Sequence, residues 1–325
     1  MNKKILLMRE AHFVKKNKEK WKLFEDVLDK KQEINPTTLS DLYIDITDDL
    51  SYAKTFYPTS NSVMYLNSLA SAAHLKIYKT KKESKHRIVN FYKYEFPLMF
   101  SQYHKQLLIS FSVFAFFTLV GIFSAANDID FVRLILGDSY VNMTLENIEK
   151  GDPMAVYKKA NQLSMSAFIT FNNIRVAVIA FLLGMLFSVG TLYIMMQNGI
   201  MLGSFTYFFF DKGLLWESSR TIWIHGTIEI SVIIIASCAG LVLGNGLMFP
   251  RTYSRLASFK ISFVNGLKIM LSTVPFFIIA GFIEGFVTRY TQMPDWLAMT
   301  IIASSLLLIL FYYIIYPQKL TKTHP

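Results

Sequence analysis

The sequence contains a single cysteine, Cys238, among 325 residues. No intrachain disulfide can form, so cysteine pairing says nothing about the redox compartment. The first thirty residues are charged throughout and lack the apolar run of a cleavable signal peptide. No nucleophile elbow, glycine-rich phosphate loop or HExxH pattern is present, which argues against a recognisable hydrolase or nucleotidase. We therefore expect neither a cofactor nor a familiar catalytic centre.

Charge is also scarce over long stretches of the chain. Hydrophobic residues make up 53% of the sequence, which includes 28 phenylalanines. Several windows reach the ~20 apolar residues that a helix needs to cross a bilayer. The composition predicts an all-α polytopic membrane protein with six transmembrane helices and an amphipathic helical domain, residues 1–87, on the cytoplasmic side.

The six predicted spans form a membrane domain over residues 107–325. They are placed at Leu107–Ala126, Val176–Met196, Gly199–Phe210, Ile222–Leu243, Val264–Val287 and Leu297–Tyr316. The third is too short to cross alone at about 1.5 Å per residue, so it either borrows residues from the second or is re-entrant. Basic residues of the loop at 251–260 and of the tail face the cytoplasm only if it crosses. This favours six crossings with both termini in the cytoplasm.

The excess of basic residues lies before the first span. Residues 1–106 hold 19 Lys+Arg against 12 Asp+Glu, and the remainder hold 14 against 11. This distribution points to anionic lipid, not nucleic acid. Residues 76–105 interleave basic residues with Phe91, Tyr92, Phe96 and Phe100, and residues 88–106 are predicted to form an interfacial helix whose aromatic side chains enter the headgroup boundary.

Residues 127–173 are predicted to form the one long segment outside the membrane. The segment carries six acidic residues and a turn signal at 151–153. At about 47 residues it is too long for a simple connection, so we expect short helices on the outer surface. It is the natural contact face for an extracytoplasmic envelope protein.

Two acidic residues lie inside predicted spans. Glu229 follows His225 by one helical turn, and Glu284 lies between Gly281 and Gly285. An ionisable group in hydrocarbon costs at least about 2.5–3.5 kcal/mol, so these residues mark a functional or structural site. Asn172, Asn173 and Arg175 at the predicted outer end of the second span complete a polar cluster at similar depth.

Two interpretations of this cluster remain open. It could be an ion-pair and hydrogen-bond cluster that fixes helix registry, with Arg175 neutralising Glu229 or Glu284. It could instead be a substrate, proton or metal site that opens outward. A metal site has the weaker support, because the set lacks a second histidine or any cysteine.

Three GxxxG pairs occur inside the predicted spans, and such pairs let helix backbones approach closely. They are Gly199 with Gly203, Gly240 with Gly244, and Gly281 with Gly285. Packing within the chain is the default interpretation, and homodimerisation is the alternative. The sequence Gln197-Asn198-Gly199 is a turn signal that predicts a tight inner hairpin between the second and third spans.

Five short segments resemble the stage II sporulation protein M family. They are residues 8–14 (MREAHFV), 172–177 (NNIRVA), 198–203 (NGIMLG), 225–229 (HGTIE) and 280–286 (AGFIEGF). The resemblance implies an integral membrane protein that, in spore formers, works with two peptidoglycan-degrading partners during engulfment. The long N-terminal domain and the outer segment resemble relatives from bacteria that do not sporulate. The resemblance therefore predicts a scaffold or assembly factor for an envelope complex in a bacterial inner membrane, with a transporter or small-ligand membrane protein as the alternative.

Overall fold

The computed structural model describes residues 9–29, 36–77, 86–158 and 162–323. Every regular element within these ranges is helical. The chain divides into two compact units, residues 1–85 and residues 86–325. Each unit has its own apolar core.

The first unit contains three amphipathic helices, which are α1 (Glu10–Leu28), α2 (Pro36–Phe56) and α3 (Asn61–Ile77). Their apolar faces share one core around Phe24 and Ile46, both fully buried. At the edge of this core, Trp21 Nε1 donates a 2.8 Å hydrogen bond to Asp49. The hydroxyls of Ser60 and Ser62 donate to Glu10 and lower the pKa of its carboxyl group.

The second unit holds the long apolar helices. Its elements are α4 (Arg87–Asn90), α5 (Phe96–Phe100), α6 (His104–Asn127), α7 (Ile129–Leu136), α8 (Asp138–Glu149), α9 (Gln162–Leu182), α10 (Val189–Asp211), α11 (Leu215–Met248), α12 (Arg255–Phe282), α13 (Asp295–Leu310) and α14 (Tyr316–Thr323). π-helical segments connect α4 to α5 and α13 to α14, and another, Ile283–Val287, extends α12.

Five helical stretches among the described residues are long and apolar enough to cross a membrane, so the chain is a multi-pass membrane protein. They are Arg87–Asn127, Gln162–Met185, Leu215–Met248, Arg255–Val287 and Asp295–Thr323. α10 is not among them, because Gln197 and Asn198 interrupt its apolar sequence. At 23 residues it is about 34 Å long, enough to span a bilayer, and the sixth crossing remains a prediction that depends on it.

The predicted hairpin at residues 197–199 is wrong. These residues lie inside α10, where the Asn198 side chain donates to Ile194 O and Gln197 donates to the Tyr193 hydroxyl. The break between helices comes instead at Leu186–Ser188, where Phe187 and Ser188 have positive φ angles of 51° and 67°. The polar pair satisfies its hydrogen bonds within the helix, so it does not need a turn.

The predicted start of the second span is also wrong. α9 begins at Gln162, so residues 162–173 belong to this helix and not to the outer segment. Serine and threonine residues of this part of α9 pack against glycines of the α12 stretch. Ser166 lies against Gly285, and Thr170 lies against Gly281.

The aromatic side chains of the predicted interfacial helix do not all face outward. Phe96 and Phe100 are fully buried in the core of the second unit, where their rings contact Tyr313. Tyr92 donates to Leu271 O of α12. Residues 78–85 of the predicted lipid-binding segment lie outside the described residues, and its contact with anionic lipid remains a prediction.

Residues 128–158, here called the insert, contain the short helices α7 and α8. Val132 and Val141 from these helices pack with Phe208 and Phe209 at the end of α10. Gly137 and Gly151 have positive φ angles and end the two helices. The insert therefore rests on the membrane helices as a folded cap.

Candidate functional site

The polar cluster forms where α11 meets the π-helical end of α12. His225 and Glu229 lie one turn apart on α11, and Glu284 lies in the segment Ile283–Val287. One ligand atom from each of the three residues lies within 4.8 Å of the others. Local π-helices are frequent at functional sites because they displace side chains from regular helical positions. The structure thus brings together three residues that the sequence analysis singled out.

His225 connects the two helices. Its Nδ1 atom lies 2.9 Å from Thr288 Oγ1, and its Nε2 atom lies 3.8 Å from Glu284 Oε2. The side chains of His225 and Glu284 are only 5% and 12% exposed. The ring is therefore held between a hydroxyl on one side and a carboxylate on the other.

Glu229 is bonded to α9. Asn173 is buried and forms a side-chain hydrogen bond with the Glu229 carboxylate. Glu229 is also close enough to Glu284 for their charges to interact. Neither carboxylate forms an ion pair with a lysine or arginine among the described residues. Two carboxylates are thus close together in a bundle that a membrane surrounds, where a cation or proton would stabilise them.

The predicted ion pair of Arg175 is not formed. Arg175 lies two residues after Asn173 on α9, but it is exposed and has no carboxylate partner among the described residues. Residues 173 and 175 point in directions about 200° apart on a helix of 3.6 residues per turn. The bond from Asn173 to Glu229 therefore turns Arg175 away from the cluster. Asn172 is exposed as well.

A cavity of about 390 Å³ lies beside the cluster. Its walls come from α6, α9, α10, α11 and the insert, and its polar lining residues are Tyr140, Asn172, Asn173, Asn198, His225 and Glu229. Apolar residues such as Phe114 and Ile233 complete the wall. An apolar cavity with a few convergent polar groups is the usual form of a small-ligand site.

The three GxxxG pairs all lie at close helix contacts within the chain. A Cβ atom at Gly199 or Gly203 would overlap the backbone of α6, and one at Gly240 would overlap Thr191 and Ala180 O. A Cβ atom at Gly244 would overlap Ser188, and Cβ atoms at Gly281 and Gly285 would overlap α9. These contacts fix the positions of the helices that carry His225, Glu229 and Glu284.

Two residues of the site were not identified from the sequence. Asn198 was interpreted as part of a turn, although an asparagine inside an apolar helix is itself a signal of an intramembrane polar site. No sequence pattern marks Thr288 as a site residue; it only lies four residues after Glu284. Its role depends on the π-helical geometry that brings its hydroxyl to His225.

Comparison with known proteins finds two family matches. The model of the stage II sporulation protein M family matches residues 110–289, which include every residue of the cluster. A second model, a domain of unknown function designated DUF8413, matches residues 11–79. The family-like segment at residues 8–14 thus lies outside the stage II match. No curated protein and no solved structure matches the chain.

Proposed function

Because the chain belongs to the stage II sporulation protein M family, a family of membrane proteins, we propose that it binds a small cationic ligand in its intramembrane cavity. The observation that carries the proposal is the position of Glu229. Its carboxylate lines the cavity beside His225, and no lysine or arginine among the described residues neutralises it. A cluster held only for stability would be expected to be fully paired.

Three features support a small ligand over a large one. The cavity volume is at the lower end of the range for small-molecule sites, about 300–1,000 Å³. Asparagine side chains from α9 and α10 face it, and amides can accept hydrogen bonds from a polar ligand. The insert contributes Ile135, Leu136 and Tyr140 and covers one side of the cavity. A route past the insert would give access from the extracytoplasmic side.

Reagent access to the cavity tests this proposal. Asn198→Cys, in a Cys238→Ser background, should react in whole cells with a small impermeant methanethiosulfonate reagent. The cationic ethyltrimethylammonium reagent should react faster than the anionic sulfonatoethyl reagent, because Glu229 attracts positive charge. Glu229→Gln should reduce that preference, and Glu217→Gln, which removes a carboxylate from the same helix away from the cavity, should not. An unreactive cysteine at position 198 would show that the cavity is closed to solutes.

A second candidate function is the assembly of an envelope complex in a bacterial inner membrane. The observation that favours it is Arg175, which lies on an exposed face of α9 together with Phe168 and Phe171. α9 belongs to one of the candidate spans, and an arginine facing lipid there costs at least about 2.5–3.5 kcal/mol. A partner helix that carries a carboxylate would remove this cost. The exposed acidic residues of the insert offer a second contact surface on the extracytoplasmic side.

Photo-crosslinking tests the complex. A crosslinking amino acid at position 168 should capture one defined protein, and the adduct should disappear when Arg175→Leu is added. The same amino acid at position 307, an exposed site on α13, serves as the control for lipid-facing positions. Equal adducts at both positions, or an adduct that survives Arg175→Leu, would contradict a specific partner at α9.

A further inference from the structure

We propose that His225, Glu229 and Glu284 bind one first-row divalent cation, with Zn²⁺ as the best fit. The inference rests on the proposed function and names the ligand class of the same site. It depends on the distances within the cluster, the orientation of the histidine ring and the access that the cavity provides.

The distances are close to those of a coordination shell. The three ligand atoms lie within 4.8 Å of one another. Tetrahedral ligands at about 2.0–2.1 Å from zinc lie about 3.3 Å apart. Side-chain rotations that move the ligand atoms by about 1 Å would therefore complete the coordination shell. Water or a small molecule in the cavity can supply the fourth ligand. Three protein ligands with one open position are typical of catalytic zinc sites.

The Thr288 hydroxyl orients the His225 ring. Thr288 Oγ1 lies 2.9 Å from His225 Nδ1 and can accept a hydrogen bond from the ring when Nδ1 carries the proton. In that tautomer the Nε2 lone pair points toward Glu284, whose Oε2 atom lies 3.8 Å away. A histidine that binds a metal usually donates its other ring N–H to an oxygen in this way. Asn173 restrains the Glu229 carboxylate in the same manner.

The chemistry of the ligands selects the class of ion. One imidazole nitrogen and two carboxylate oxygens suit zinc or manganese, whereas magnesium and calcium prefer oxygen ligands alone. Two carboxylates without a basic partner also favour a divalent over a monovalent cation. The ion can reach the site because His225 and Glu229 both line the cavity.

Zinc titration of the purified full chain tests the inference. The protein, in detergent and with any polyhistidine tag removed, is stripped with a chelator and titrated with Zn²⁺ by calorimetry, with metal content measured by mass spectrometry. We expect one Zn²⁺ per chain and no comparable binding of Mg²⁺. Glu284→Gln should weaken binding at least about tenfold, and Glu217→Gln should leave it unchanged. The inference is overturned if the wild type does not bind Zn²⁺ stoichiometrically, or if Glu284→Gln and Glu217→Gln lose the same amount of Zn²⁺ affinity.

The orientation of His225 provides a separate readout. Thr288→Val should weaken Zn²⁺ binding about 10–100-fold without changing the stoichiometry, and Thr288→Ser should restore it. Equal affinities for the valine and serine variants would contradict the orienting role.

Failure of the inference and failure of the proposed function give different results. Stoichiometric Zn²⁺ binding together with an unreactive Asn198→Cys would support the metal site and contradict an open cavity. A reactive cysteine without Zn²⁺ binding would support the open cavity and contradict the metal site.

Discussion

Ser188, at the break between α9 and α10, packs directly against Gly244 of α11. A Cβ atom at residue 244 would overlap the serine hydroxyl and would lie 2.5 Å from the backbone nitrogen of Ser188. Backbone atoms cannot rotate away as a side chain can. The contact therefore fixes the C-terminal end of α11, the helix that carries His225 and Glu229.

Substitution of this glycine should destabilise the bundle. Gly244→Ala is expected to cost about 1–3 kcal/mol, because it forces apart two packed backbones. Gly226→Ala on the same helix is the control, since a Cβ atom there would meet nothing closer than 3.6 Å. The control should be neutral or stabilising by up to about 1 kcal/mol through helix propensity. Thermal unfolding in detergent measures both, and equal melting temperatures would contradict the close contact.

Adjacent asparagines on α9 allow a matched test of the polar cluster. Asn173 is buried and bonded to Glu229, whereas Asn172 is exposed. Asn173→Ala leaves a buried acceptor without its donor and should destabilise the protein by about 1–3 kcal/mol. Asn172→Ala should change stability by less than about 0.5 kcal/mol. Chemical denaturation in mixed micelles can compare the two, and a larger loss from Asn172→Ala would refute the assigned contact.

The apolar core of the first unit gives another matched pair. Phe24 is fully buried, and its neighbour Leu23 is 39% exposed. Phe24→Ala should cost about 3–5 kcal/mol, because it leaves a cavity between three helices. Leu23→Ala should have little effect. Hydrogen exchange of peptides from α1, α2 and α3 in the full chain reports this local stability, and unchanged protection in Phe24→Ala would show that the unit has no such core.

Hydrophobicity predicted the class of this fold because burial in lipid requires long apolar helices with internally satisfied backbones. It did not predict where the helices break. Gln197-Asn198-Gly199 has turn chemistry, yet its amides bond within α10 and its glycine packs against α6. Leu186 and Phe187, by contrast, are apolar residues without turn preference. Their break depends on tertiary packing against α11, which local sequence does not encode.

The site was predictable in part for a similar reason. Acidic residues inside apolar spans are rare enough to be noticed, so Glu229 and Glu284 could be found from the sequence alone. The role of Arg175 could not, because the direction in which it faces depends on how α9 packs, and the hydrogen bond between Asn173 and Glu229 turns Arg175 away. An error of about fourteen residues in the predicted start of α9 moved Arg175 from a predicted helix end to the second half of the helix.

The topology is the last prediction, and it decides whether α10 crosses the membrane. We expect both termini in the cytoplasm, because the loop that carries Arg251, Arg255 and Lys260 then faces inward as the positive-inside rule requires. In a Cys238→Ser background, Lys150→Cys should be labelled in intact cells by an impermeant thiol reagent. Phe187→Cys and Arg255→Cys should be labelled only after permeabilisation.

The two inner positions separate the alternatives. If α10 did not cross, α11 would begin on the cytoplasmic side and its far end would lie outside, so position 255 would be labelled in intact cells while position 187 would not. Labelling of both positions only after permeabilisation requires an even number of crossings between them. Only α10 and α11 lie between residues 187 and 255, and α11 is one of the candidate spans, so a crossing by α11 would then require a crossing by α10.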